Sequence, residues 1–450
     1  MSSAAETFTL DPSQEAALKL AREHTICVIT GGPGTGKTTI LKRAIEEDEA
    51  RGYRVRLASP TGKAARRLAE ASGRPAMTIH RLLKWGPEGP RHDALDPIVA
   101  DRVIIDETSM VDIRLMAALI SALPYTCRLL LVGDADQLPS VGPGNVLRDL
   151  IASGAVPVAR LTQVHRQSER SWIHINAQAI NRGEMPRSDN DACDDWLVLE
   201  EDMAAGVADR VKKLITTTFH EHFRKPDGSC YHPLQDFQVL APKHKGACGV
   251  EVLNTTLQEA LNPWRRGKAE HHHYGTTFRV GDRVMQIRNN YDFAVFNGEC
   301  GFVVDIGKLT NEQARQHGLK SGGPVVWVEY DPDMDLDTGL LIKRKIPYTK
   351  STFNELVLNY ACTIHKSQGS QYPVVILVCH STDYYMLARQ LVYTGVTRAQ
   401  KIVFIVGDRK GMKRAVSNDA PVCRHTRLAE MLRAEMGAAQ SSPGMPDGTL

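Results

Sequence analysis

The sequence predicts an α/β fold with parallel sheets and one inserted β module, and three observations carry that prediction. Short β-branched runs alternate with amphipathic stretches through the first third of the 450-residue chain. A glycine-rich loop stands where one such run passes into a helix. Farther on, closely spaced short strands interrupt a second α/β region.

Taken in order, 25–30 reads as a strand and 37–51 as the helix after it. A strand at 55–58 and a helix over Gly62–Ser72 follow, and Arg102–Ile105 and 129–132 are further apolar strands. A second α/β region is expected to start near Pro157, with a helix over Trp172–Arg182, another near 204–220 and a strand at 237–240. Between 274 and 352 the strands 283–287, 301–306 and 325–330 are separated by Gly, Asn and Asp turns, the pattern of a small β-barrel. The α/β rhythm resumes at 374–379 and 401–406. A tail over 438–450, rich in Ser, Pro and Gly, is expected to be disordered.

A chain of 450 residues exceeds one ordinary core, so two to four domains are expected. A hydrophobic content of 42% with 24% charged residues belongs to the soluble globular class. No apolar run of about 18 residues is present, so no membrane span is expected. The start, MSSAAETFTLDPSQ, lacks the basic and apolar parts of a signal peptide, and a cytoplasmic location follows as an expectation. Nine cysteines without a C-x-x-C spacing read as reduced thiols rather than a zinc or iron–sulfur site. His271, His272 and His273 read as a polar loop. A net charge of +3 confines any nucleic-acid site to a local groove.

The chemistry begins at Gly31-Gly32-Pro33-Gly34-Thr35-Gly36-Lys37-Thr38, which fits the phosphate-loop pattern G-x-x-x-x-G-K-[ST] between a strand and a helix. Glycines let backbone N–H groups close around phosphates, and the helix N-terminus adds a favourable dipole. Gly32, Pro33, Gly34, Thr35, Gly36, Lys37, Thr38 and Thr39 are therefore assigned to ATP. Lys37 reaches the β- and γ-phosphates, and the Thr38 hydroxyl ligates Mg²⁺. The strand ending in Asp106-Glu107 supplies the other half: Asp106 for Mg²⁺ and Glu107 to polarise the attacking water. After the strand at 129–132, Gln137 serves equally as a γ-phosphate sensor or as part of an Asx-rich turn with Asp134 and Asp136. Arg166 and Arg398 are candidates for stabilising transition-state charge. Pro60-Thr61-Gly62-Lys63, Thr78-Ile79-His80-Arg81 and Thr363-Ile364-His365-Lys366-Ser367 mix hydroxyls, an imidazole or glycine and a cation at strand-to-helix junctions. Such groups suit phosphate and sugar contacts.

The order of these elements resembles the superfamily 1 helicases, and within them the 5′→3′-translocating RecD-like branch, over roughly residues 10–408. Gln14 is similar to the adenine-reading glutamine ahead of the loop. Residues 31–38, 59–66 and 78–82 resemble motifs I, Ia and Ib; Asp106-Glu107-Thr108-Ser109-Met110 resembles motif II. Residues 133–139, 161–167, 361–371 and 392–399 resemble motifs III, IV, V and VI. The resemblance implies two RecA-like domains, 1A over 1–153 and 2A over 154–273 and 353–437. It also implies a β-hairpin insertion, 1B, at 84–100, and an SH3-like barrel, 2B, at 274–352. ATP with Mg²⁺ would lie between the RecA-like domains and single-stranded DNA across their tops. Arg166 and Arg398 match the family's arginine fingers. Pro60, Thr61, Lys63, Thr78, His80, Asn145, Thr363, His365 and Ser367 become the DNA-contacting set. Trp85 at the base of the hairpin is expected to pack in the core. Members of this branch commonly carry a long N-terminal region, and the match here begins near Leu10.

The function expected is an ATP-dependent DNA helicase that translocates 5′→3′ on single-stranded DNA and unwinds duplex, acting as a monomer on single strands and duplex junctions, with repair or recombination proteins as partners. Two alternatives stay open: a translocase that does not unwind, and an ATP-switched DNA-binding subunit. Glu107 argues against the second, because a switch does not need a catalytic carboxylate.

Overall fold

The computed structural model describes residues 10–163, 171–190, 192–290, 292–319, 321–334, 341–419, 424 and 426–441. They divide into two compact units, one of residues 1–60, 64–169 and 421–450 and the other of 61–63 and 170–420.

The first unit is built on six strands: β1 (Ile26–Gly31), β2 (Val55–Ser59), β3 (Ala76–Thr78), β4 (Arg102–Ile105), β5 (Arg128–Gly133) and β6 (Val158–Leu161). They form one sheet in the order β3-β2-β4-β5-β1-β6, parallel throughout. Both faces of such a sheet are covered by helices, so its central strands are apolar in unbroken runs rather than alternating. Cys27, Val28 and Ile29 of β1, and Val103, Ile104 and Ile105 of β4, are all buried. The helix Pro12–Glu23 starts at a capping box in which the Asp11 carboxylate accepts from Ser13 and Gln14. A buried ion pair ties the helices to the sheet: Arg102 Nε donates to Asp48 at 2.8 Å and Nη2 to the Ala21 carbonyl at 2.7 Å.

The second unit continues with β7 (Trp196–Glu200) and β8 (Phe237–Ala241), then a mostly β segment that also holds the short helix Asn311–Gln316. That segment holds β9 (Glu270–His273), β10 (Thr276–Arg279), β11 (Arg283–Gln286), β12 (Cys300–Leu309), β13 (Gly323–Met334), β14 (Leu341–Tyr348) and β15 (Leu356–Leu358). The chain closes with β16 (Ala361–Thr363), β17 (Tyr372–Cys379) and β18 (Ala399–Gly407). The order β16-β8-β17-β18-β7 makes a parallel sheet, and β8 lies directly beside β16 although the whole β segment separates them in sequence. The β segment is thus an insertion, as expected. Its sheet, β14-β13-β12-β11-β15, is antiparallel and closes on Phe278, Val284, Val303, Val326, Val328 and Tyr330. It extends past the expected limits of 274 and 352, because β9 and β15 also belong to the segment.

Three expectations are corrected. Residues 158–161, placed with domain 2A, form the edge strand of the first sheet, Val28 pairing with Val158 and Gly31 with Leu161. The C-terminal stretch, placed in domain 2A up to 437 and in a disordered tail beyond, carries a helix over Leu428–Ser441 and groups with the first unit. Leu428 packs on that unit's core cluster, and Arg433 donates to the Ala152 carbonyl at 2.7 Å. Residues 442–450 lie outside the described residues. Finally, 84–100 contains no strand. Gly86 and Gly89 exchange both backbone hydrogen bonds across one tight bridge, and no ladder continues from it. Trp85 packs on the first unit's core with its ring 5.2 Å from that of His80.

Candidate functional site

The carboxyl edge of the first sheet gathers most of the residues assigned to nucleotide chemistry. β1, β4 and β5 run parallel and end together, so the loops that follow them open on one edge, the usual ligand side of such a sheet. From β1 the chain enters the loop 32–36 and then the helix Lys37–Ala50. Gly34 and Gly36 hold φ of 74° and 81°, left-handed values that a side chain would strain. Gly36 is the N-cap and offers no side-chain bond, so the first N–H groups of the helix have no cap partner there. Lys37 lies across the mouth, its ammonium donating to the carbonyls of Gly31 and, at 2.8 Å, of Gly32. Thr35 Oγ1 closes the turn onto Gly32 O at 2.9 Å. Thr38 is exposed and Thr39 and Pro33 half-buried. Gln14 has no exposed surface, and its amide points at the Thr35 carbonyl at 3.4 Å.

Asp106 follows β4, and its Oδ1 accepts from the Glu107 N–H at 2.8 Å. Glu107 takes φ 54°, a left-handed conformation rare outside glycine, and is 7% exposed. Strain of that kind, on a buried carboxylate at a sheet edge, marks functional sites more than structural ones. Arg67, on the helix Gly62–Ser72, donates to Glu107 Oε1 at 2.9 Å and lies 3.9 Å from Asp106. Burial, and then the Glu107 charge, push the Asp106 carboxyl up, while Arg67 and Lys37 oppose the shift. Arg67 was not among the sequence-assigned residues; its signal was a cation one helical turn beyond Lys63, on the same face as that motif.

After β5, Asp134 is 1% exposed, and burial raises its carboxyl with Lys37 the first opposing charge. Gln137 Nε2 donates to Asp134 Oδ2 at 3.1 Å, while its Oε1 is buried without a hydrogen-bond partner. Both readings of this segment are therefore present: Asp134 also accepts from the Asp136 N–H in an Asx turn, and Gln137 keeps an open acceptor. The donor set fits ATP with Mg²⁺. Magnesium is usually held by one or two carboxylates, phosphate oxygens and water, so Thr38 and Asp106 suffice from the protein. Among the described residues no cluster of three His, Cys, Asp or Glu forms a self-sufficient metal site.

The residues assigned to DNA fall on both units. Thr78 and Thr363 are matching devices. Each ends a three-residue strand at φ near −72° and ψ 152°, and each hydroxyl caps the following turn, accepting from Arg81 N at 3.1 Å and Lys366 N at 3.4 Å. Two residues on, His80 and His365 are half-buried, and burial lowers the pKa of both imidazoles. Pro60 is half-buried at the end of β2, and Asn145 stands at the N-cap of the helix Val146–Ser153 without a side-chain cap bond. Thr61 and Lys63 group with the second unit, where the Lys63 ammonium lies 2.9 Å from Cys300 Sγ. Ser367 has no exposed surface, and its hydroxyl donates to Ile364 O at 2.7 Å within its own turn. Arg398 is 2% exposed, its guanidinium donating to the carbonyls of Thr394 and Ser370. Arg166 lies outside the described residues.

Comparison with known proteins spans most of the chain. Residues 9–197 match a family described as an AAA domain, 253–317 the ATP-dependent RecD-like DNA helicase SH3 domain, and 358–406 the UvrD-like helicase C-terminal domain. The chain is 37% identical to the ATP-dependent RecD2 DNA helicase of Deinococcus radiodurans over 94% of its own length and 53% of that protein's. It is 31% identical to the RecBCD enzyme subunit RecD of Mycolicibacterium smegmatis, over 93% of this chain and 74% of that one. Among solved structures, Pif1 helicase from Candida albicans shares the fold at TM-score 0.51 and 17% identity, covering 96% of this chain and 100% of that one. A structure of two coordinating Pif1 helicases at forked double-stranded DNA shares it at TM-score 0.51 and 20% identity, with 96% and 98% covered.

Proposed function

The chain belongs to the RecD-like helicase family, and from that membership we propose that it is an ATP-dependent DNA helicase, moving 5′→3′ on single strands and separating duplex. The observation that carries the reading is the edge of the first sheet, where Lys37, the strained Asp106–Glu107 pair and Gln137 converge from three neighbouring loops.

In this reading the backbone of 33–38 and the Lys37 ammonium hold the phosphates, and Thr38 with Asp106 holds Mg²⁺. ATP bound with Mg²⁺ supplies a phosphoanhydride whose hydrolysis drives movement. Glu107 orients the attacking water and accepts its proton, with Arg67 keeping the carboxylate in place. The open acceptor of Gln137 senses that water or the γ-phosphate. Arg166 and Arg398 serve as arginine fingers, for which the Arg398 guanidinium must exchange the Ser370 and Thr394 carbonyls for phosphate oxygens. Gln14 reads adenine. Thr61, Lys63, Thr78, His80, Asn145, Thr363 and His365 grip the sugar–phosphate backbone, without reading sequence. Work as a monomer in the cytoplasm, on single strands and fork junctions and alongside repair or recombination proteins, belongs to the same proposal.

The test is strand displacement on duplexes carrying a 5′ or a 3′ tail, run beside DNA-stimulated ATP turnover. Unwinding of the 5′-tailed substrate alone, lost together with ATP turnover by at least about a hundredfold in Lys37→Ala, is expected. Translocation without displacement would make the chain a single-strand motor. Undiminished DNA-dependent turnover in Lys37→Ala would overturn the site itself.

A further inference from the structure

The loop 138–145 joins the two functional elements of the first unit that most need to communicate. At one end stands Gln137, whose Oε1 is buried without a hydrogen-bond partner. At the other stands Asn145, N-cap of the helix Val146–Ser153 and without a side-chain cap bond. Loops with exposed backbone ordinarily tolerate variation, but this one is tightly fixed. Gly144 sits at φ 92°, and a Cβ on Gly142 would fall 1.9 Å from Asp112 Oδ2. Pro143 O accepts from Ile113 N at 2.9 Å, pinning the middle of the loop to the helix Ile113–Ser121.

The carbonyls of Ser140, Gly142 and Gly144 converge on one cation, Arg424. Its Nη2 donates to Ser140 O at 2.6 Å; its Nη1 faces Gly142 O, Gly144 O at 3.0 Å and Ser140 Oγ at 3.4 Å. A guanidinium presents five N–H groups in one rigid plane and so meets converging carbonyls from both of its terminal nitrogens, where lysine offers three donors on a single rotating nitrogen. Ser140, 2% exposed, is the other donor close by, and it too turns its hydroxyl toward Gly142 O and Gly144 O. Arg424 reaches the loop from the far end of the chain. It precedes the helix Leu428–Ser441, which Arg433 fastens to Ala152 O and Thr426 to Asp149.

We propose that Arg424 is a positioning residue for the motor: it braces the loop 138–145 so that a shift of Gln137 on hydrolysis is delivered to Asn145 and its grip on DNA. The proposal rests on the function proposed above. A loop without the brace would absorb the shift in its own backbone, leaving nucleotide binding intact and coupling lost.

The test compares Arg424→Ala, Arg424→Lys and Arg433→Ala in the full chain, with ATP turnover measured against oligo-dT concentration. Arg433→Ala removes a bond from the same helix without touching the loop. For Arg424→Ala, KM for ATP should stay within about twofold. The DNA-stimulated kcat should fall about tenfold, and half-maximal stimulation should need more oligonucleotide. Arg424→Lys should recover part of the loss, and Arg433→Ala should behave as the parent chain. DNA stimulation within about twofold of the parent in Arg424→Ala overturns the brace. So does an equal loss in Arg433→Ala, which would assign the effect to helix docking; melting temperatures and binding of a fluorescent ADP analogue check folding in each variant. A parent chain with no DNA stimulation would instead sink the functional reading, an outcome separate from either.

Discussion

At the scale of single residues, the sharpest feature is Glu107. A buried carboxylate in a left-handed conformation costs stability twice, once for desolvation and once for backbone strain of order 1–3 kcal/mol. Arg67 offsets part of the first cost, and the base role proposed for Glu107 would account for keeping the second. Glu107→Gln keeps the shape and the hydrogen bond while removing the base. Its kcat should fall by about 10²–10⁴ with affinity for a non-hydrolysable ATP analogue unchanged. Single-turnover hydrolysis beside analogue binding checks this, and a loss of both would reassign Glu107 to holding the loop. Lys37, Asp106 and Glu107 were all legible in sequence, because each occupies a fixed offset from a glycine loop or an apolar strand. Arg67 and Arg424 were not assigned: their partners lie 40 and about 280 residues away, so the position of Arg67 one turn beyond Lys63 does not name its partner and Arg424 has no local signature.

At the scale of elements, the two units repeat one device, a threonine that ends a strand, caps the next turn and sets a half-buried histidine two residues on. A capping hydroxyl contributes roughly 1 kcal/mol. Thr78→Ala should therefore speed exchange of the Arg81 amide about fivefold, and Thr363→Ala that of the Lys366 amide, each without touching the other. Hydrogen exchange read at the two amides is the appropriate measurement, since a chain of two units lacks a single unfolding free energy. If either change moved both amides, the devices would not be local caps. Element prediction from sequence succeeded where the signal is local. The helix Gly62–Ser72 and the strand Arg102–Ile105 stand at their predicted bounds, because hydrophobic period and flanking turns decide them. It failed where a partner decides. The strand Val158–Leu161 is apolar enough for either sheet, and only its pairing with β1 assigns it. The 84–100 segment has turn-forming glycines but no alternating runs beside them, so a ladder had nothing to continue it.

At the scale of the whole molecule, buried ionisable groups set how stability responds to pH, and two sets oppose each other. Burial lowers the pKa of His80, His174, His271 and His365, so each binds its proton less readily folded than unfolded. Their stabilisation is complete above the unfolded value, about 6.5, and is lost as pH falls through the lower folded values. Burial raises Asp134 and Asp282, the latter despite hydrogen bonds from Asn262, Gln258, Tyr360 and the Arg279 N–H. For these carboxyls the folded state holds the proton more tightly, so their contribution is present at low pH and fades as pH rises through the folded value. Between pH 7.5 and 5.5 the histidines titrate most, since that window brackets the ordinary imidazole value while the carboxyls begin from lower ones. The chain should therefore melt at a lower temperature at pH 5.5 than at 7.5. His80→Gln with His365→Gln should shrink that drop, because glutamine fills a similar space and has no proton to take up. Thermal melts of parent and double variant at the two pH values decide it. An undiminished drop in the double variant would shift the acid sensitivity to His174 and His271 in the second unit, away from the two imidazoles assigned to DNA.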